Sequence, residues 1–238
     1  MTDLATFLNN MDWWGLIGLV VSAFAALFCI TFHELSHGFV AYRLGDPTAK
    51  NAGRLTLNPL AHIDPAGLLM MIVAKVGWAK PVPVDMRYFK NPKRGMAITA
   101  LAGPISNFVL AFAALGISSI IYHLAPMGNA ALVALCILSN IALLSVGLGI
   151  FNLIPIPPLD GSKVLFSFLP DKVYLTILRY ERYIMVVVIG LTFAGAFSRP
   201  LSWAIFQVIR GLCALVEYPL DVVYLTLDIS YLMRILGL

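Results

Sequence analysis

Two histidines four residues apart enclose a glutamate in the run His33-Glu34-Leu35-Ser36-His37. On a helix, positions i and i+4 lie on one face, about 40° apart around the axis. Two imidazoles so placed can share one metal ion. Glu34 sits one residue along, offset, where its carboxylate can reach a water held by that metal. Zinc lowers the pKa of such a water toward ~7, and a neighbouring carboxylate can take its proton as the oxygen attacks a peptide carbonyl. The chemistry this pattern suits is metal-assisted hydrolysis.

Two histidines do not complete a catalytic zinc site, which usually has three protein ligands and one open position. His62 lies in a proline-rich loop and is one candidate. His123 is expected on the opposite side of the membrane and is excluded. Asp160 is the stronger candidate. It follows an uncharged apolar run, on the irregular backbone of Pro155-Ile156-Pro157-Pro158-Leu159-Asp160-Gly161. Non-helical backbone at membrane depth is tolerated only inside protein or lining a wet cavity. The competing reading of Asp160 is an ordinary N-cap for a helix over 162–168.

The elements that must position these residues follow from composition. Of 238 residues, 60% are apolar and only 12% are charged, whereas soluble domains sit near 45–50% and ~25%. A bilayer core about 30 Å thick needs roughly 20 apolar residues per helical span. Trp13 to Phe32 is uncharged, and helix is expected to continue to about Tyr42, where Gly45-Asp46-Pro47 stops it. Met96–Tyr122 and Ala130–Ile154 are further uncharged runs. Tyr183–Phe197 and Leu201–Val216, the latter carrying Arg210, are shorter apolar stretches, and residues 218–238 suit an amphipathic tail helix. Residues 1–12 carry Asp3 and Asp12 and no Lys or Arg, so the first run is read as a retained span rather than a signal peptide.

The fold class expected is an all-α polytopic membrane protein with four to six transmembrane helices. A small membrane-associated β-rich insertion is expected over residues 45–95, because Arg54–Leu57 and Pro81–Val84 alternate in a strand-like way. Gly67–Ala74 is apolar but too short to span, and reads as re-entrant or interfacial. One domain is expected over 1–238, with a motif-bearing core of about 13–170 and C-terminal helices over about 171–238.

Orientation follows from Lys/Arg placement. Nine basic residues from Arg43 to Arg94 lie between the first and second spans, and Lys163, Lys172, Arg179 and Arg182 lie after the third. The N-terminus and residues 123–129 are therefore expected outside the cell, with His33, His37 and Asp160 toward the cytoplasmic side. The net charge of +4 belongs to these membrane-flanking segments, and no nucleic-acid partner is expected. Cys29, Cys136 and Cys213 read as packed small hydrophobes.

The sequence resembles the site-2 protease family of intramembrane zinc metalloproteases, which are peptidase M50-like. The likeness rests on Phe32-His33-Glu34-Leu35-Ser36-His37-Gly38, on Gly103-Pro104-Ile105-Ser106-Asn107, and on the run from Asn152 to Gly161. Residues 77–84 and the stretch from Gly45 to Pro65 look like the short bacterial branch without PDZ or CBS domain. The resemblance covers about residues 20–170. It implies one zinc ion per chain on His33, His37 and Asp160, with Glu34 as base. It also suggests Asn152 as a donor to the oxyanion. Asn107 has the same two readings, catalytic or structural, and the structural one is favoured. Gly103 and Pro104 read as a close helix approach or a kink.

The expected activity is hydrolysis of a peptide bond in or near a transmembrane segment of another membrane protein, near the cytoplasmic face of a bacterial cell membrane. An extended substrate could pair with an edge at Arg54–Leu57 or Pro81–Val84. The alternatives are a non-catalytic membrane scaffold that retains a zinc site, and a transporter. Retention of Glu34 disfavours the scaffold, and the lack of paired broken helices in related halves disfavours the transporter.

Overall fold

The computed structural model describes residues 13–64, 67 and 80–227. Helix α1 is Trp13–Arg43. With no charged side chain before His33, it can satisfy its backbone internally and cross lipid. It ends at Gly45, whose φ of +107° is open to glycine and rare for other residues. The short helix α2, Thr48–Asn51, and 3₁₀ turns at Pro59–His62 and Met86–Tyr88 follow.

Helix α3, Pro92–Leu124, starts with Pro92 in its first turn and Asn91 capping the Arg94 N–H. Helix α4 is Asn129–Leu153. The chain then turns through residues 154–159 into α5, Asp160–Phe166. Helices α6, Asp171–Phe193, and α7, Ser198–Leu215, meet at 81°. The short α8 is Leu220–Leu225.

Two expectations are corrected here. Among the described residues there is no strand, so the described part of 45–95 is not the β-rich insertion expected there. The Lys80 N–H donates to the His62 carbonyl, but no ladder continues from it among the described residues. The Val82 N–H donates to Glu34 and the Asp85 N–H to Asp46, while Pro81 and Pro83 have no N–H. The Arg54 N–H closes a turn onto the Ala49 carbonyl. Among the described residues three helices, α1, α3 and α4, are long and apolar enough to cross a membrane, fewer than the four to six expected, or four, the lower end of that range, if the bent α6–α7 pair is one broken span. The expected re-entrant stretch Gly67–Ala74 lies outside the described residues apart from Gly67, as do residues 1–12 and 228–238.

Helices α1, α3 and α4 pack on one another through small residues. Ala25, Cys29, Ala111, Ala114 and Ala142 are buried with Leu115, Leu135 and Val146. Small side chains let helix backbones approach where lipid offers no hydrophobic drive for association. Polar groups are turned inward, with Ser22 donating to Asn140 (3.2 Å) and Ser145 facing Cys29 (3.1 Å). Large apolar side chains such as Leu19, Phe24, Ile105, Val109 and Ile120 point outward. This inside-out polarity is what a hydrocarbon solvent demands.

Candidate metal centre

His33 and His37 stand on one face of α1, and Asp160 reaches them from the first residue of α5. All three are buried. His33 Nε2 lies 3.1 Å from Asp160 Oδ2, His37 Nε2 lies 3.0 Å from the same oxygen, and the two Nε2 atoms are 3.0 Å apart. The structure thus brings together the three residues singled out in the sequence. His62 is elsewhere: its Nε2 donates to the Thr56 carbonyl and ties down its own loop. His123 faces the Glu217 carbonyl.

The donor set suits zinc. A carbonyl oxygen only accepts, so the 2.7 Å contact between His37 Nδ1 and the Thr99 carbonyl requires the proton on Nδ1. In the neutral ring His37 Nε2 then presents a lone pair to a carboxylate oxygen, and two acceptors at 3.0 Å leave a place for a proton or a metal cation between them. Two imidazole nitrogens and one carboxylate oxygen make a usual set of three protein ligands for catalytic zinc.

The neighbouring residues hold this set in place. Lys163 Nζ donates to Asp160 Oδ1 (3.3 Å), the oxygen not turned toward the histidines. Burial opposes the charged form of Asp160, and the ammonium of Lys163 beside it favours that form. Gly161 is required beside it. A Cβ there would run into the Leu153 carbonyl oxygen and lie 2.8 Å from that of Ile154.

Gly103 on α3 lies against both rings. An added Cβ would be 2.5 Å from Cε1 of His33 and of His37. The sequence reading took Gly103 as a site of close helix approach; what approaches it is the imidazole pair.

Glu34 lines the same cleft, of about 480 Å³, with His33, His37, Asp160, Asn152 and Lys163. Its Oε2 accepts the Val82 N–H at 2.9 Å, which fixes the carboxylate in the cleft. The sequence reading placed Val82 in a candidate substrate edge and did not foresee its bond to Glu34; no local pattern links residues 48 positions apart. Asn152 is half-buried, and its amide donates to the Leu148 carbonyl one turn back (3.0 Å). Pro81, Val82 and Val84 line the cleft, whereas Arg54–Leu57 do not. With the Val82 N–H engaged and none on Pro81 or Pro83, this stretch offers a substrate mainly carbonyls.

A helical bundle that crosses the membrane and encloses two imidazoles and a carboxylate at coordinating distance defines an integral-membrane metalloprotein. The model of Peptidase family M50 matches residues 117–195, which include Asn152 and Asp160. The chain is 38% identical over 172 residues to "Putative zinc metalloprotease YwhC" of Bacillus subtilis (strain 168), covering 70% of this chain and 78% of that one. It is 29% identical over 199 residues to "Putative zinc metalloprotease Rip2" of Mycolicibacterium smegmatis, covering 82% and 74% respectively. No solved structure matches. The chain belongs to peptidase family M50, the site-2 protease family, and is a membrane zinc metalloprotease.

Proposed function

We propose that the protein hydrolyses a peptide bond in or near a transmembrane segment of another membrane protein, close to the cytoplasmic face. One observation carries this reading. His33, His37, Asp160 and Glu34 share a single cleft, and His33 lies on a span that runs on to Arg43. At 1.5 Å per residue that places the cleft about 15 Å inside the basic end of α1. Arg43, Lys50, Arg54, Lys80, Arg87, Lys90, Lys93 and Arg94 cluster on the segments beyond that end, which supports a cytoplasmic orientation in a bacterial cell membrane.

His33, His37 and Asp160 hold one zinc per chain, within a single domain running over 1–238. When bound, zinc polarises the scissile carbonyl and acidifies water at the site. Glu34, fixed by the Val82 N–H, accepts the proton of the attacking water and returns it to the leaving amine. Asn152 has a second amide hydrogen beyond the one on Leu148, and directs it at the developing oxyanion. Lys163 keeps Asp160 turned toward the histidines.

The test compares the purified chain with Glu34→Gln, each incubated with candidate single-span membrane proteins, and maps products by mass spectrometry. Glutamine keeps the shape but accepts no proton, so turnover should fall by about 10²–10⁴ with zinc content unchanged. Normal turnover by Glu34→Gln on a validated substrate would overturn the mechanism. Cleavage confined to soluble regions far from the span would overturn the substrate assignment.

A further inference from the structure

Thr99, Gly103 and Asn107 are spaced i, i+4, i+8 and so share one face of α3. The first gives its carbonyl to His37 Nδ1. The second leaves room for the rings. The third is fully buried, and its side-chain amide lies 3.1 Å from His33 Nδ1. One stripe of one span therefore meets the outer nitrogen of both histidines.

We infer that Asn107 is a positioning residue that fixes the tautomer of His33, its Oδ1 accepting the Nδ1 proton while Nε2 is on zinc. This rests on His33 being a ligand. A neutral imidazole has one N–H and one lone pair, so a ring that gives Nε2 to a metal carries its proton on Nδ1 and needs an acceptor there. Among the described residues, the group placed to accept it is the Asn107 amide.

Nδ2 faces the ring, and the buried Oδ1 has no partner among the described residues. That arrangement makes Nδ1 an acceptor and puts the proton on Nε2, which cannot then bind zinc. Rotation by 180° about the terminal side-chain bond exchanges O and N within the same volume. The lone pair that zinc requires at Nε2 selects the orientation with Oδ1 on the ring. His37 is held through Nδ1 by a backbone carbonyl, which cannot reverse; His33 is held by a side chain that can.

Zinc affinity of the full chain in detergent, measured by competition with a chelator, separates the alternatives. Asn107→Leu keeps the volume and removes the acceptor; outer-sphere partners of this kind contribute about 10–100-fold in affinity, and a loss of that size is expected. Asn107→Asp keeps an acceptor and removes the donor, so it should bind zinc at least as tightly as the wild type. In ¹⁵N-histidine spectra of the zinc-loaded wild type, His33 should be protonated at Nδ1. The inference is overturned if Asn107→Leu binds zinc normally, or if Asn107→Asp, which decides the matter alone should the leucine variant not fold, loses affinity. His33→Ala is the control: zinc retained there would refute the ligand assignment itself, whereas zinc lost there but kept in Asn107→Leu would refute only the role of Asn107.

Discussion

Gly103→Ala should remove the metal while sparing the fold. Helix propensity alone favours the change, since alanine in a helix interior is about 1 kcal/mol better than glycine. Local geometry opposes it. The new methyl would lie 2.5 Å from Cε1 of each histidine, and nearer still to His37 Nε2. Each ring would have to retreat by about 1 Å to reach van der Waals distance. Neither can do so freely, because His37 is bonded to the Thr99 carbonyl, His33 faces Asn107, and both meet Asp160. Coordination tolerates displacements of only about 0.2 Å, so both nitrogens leave coordinating range together. Overpacking costs about 1–3 kcal/mol, partly offset by the gain in propensity. The metal-free variant should therefore melt close to the metal-free wild type. Zinc affinity should fall by at least ~100-fold, at or beyond the upper end of outer-sphere effects. Zinc per chain, measured by elemental analysis after equilibration in chelator-buffered zinc, reads the first quantity, and thermal unfolding of the stripped proteins reads the second. Wild-type zinc affinity in Gly103→Ala would refute the argument, because the rings would then have room that this packing denies them.

Asp160→Asn replaces an anionic ligand by a neutral one and should lower both zinc content and activity; full zinc loading in that variant would remove Asp160 from the ligand set. Asn152→Ala should keep its zinc and lose about 10²-fold in turnover if the amide serves the oxyanion, and an unchanged rate would reduce Asn152 to its bond with Leu148. For topology, Met127→Cys and Lys90→Cys, each in a background lacking Cys29, Cys136 and Cys213, should label from opposite sides of the membrane. Labelling from one side would refute the orientation.

The grouping of His33, His37 and Asp160 was legible in the sequence because the membrane makes such residues conspicuous. An ionisable side chain inside an apolar run costs several kcal/mol and needs a reason, and the spacing of His33 and His37 supplies one. The helices were legible for the same reason, since in lipid a run of uncharged residues has few alternatives to helix. The segment between α1 and α3 obeys no such constraint, and there the reading failed. Alternation at Pro81–Val84 describes side chains, whereas a sheet is decided by where backbone N–H groups go. Here they go to carboxylates: Val82 to Glu34, Asp85 to Asp46. Asp46 also takes the Thr48 N–H, so one buried acid ties the exit of α1 to the strip that holds Glu34. No sequence period encodes such a bond.

The positioning of the centre depends on helix register more than on any loop. The candidate ligands come from α1 and α5, the outer contacts from α3, and α5 hangs from the end of α4 by a six-residue turn. A shift of α1 against α4 by even a fraction of a turn would open the triangle of ligand atoms. Apolar burial cannot prevent such a slide, since lipid chains solvate leucine as well as another helix does. Directional contacts can. Cys29 lies one turn before His33, and its thiol meets both the Ser145 hydroxyl and the Ile141 carbonyl of α4. Ser22 bonds Asn140 further along the same seam. These polar contacts, with the small residues that let the backbones close on them, set the register to the tolerance that coordination needs. In this bundle the residues that look least like chemistry, Cys29, Gly103 and Ser145, decide whether the histidines and the aspartate can meet.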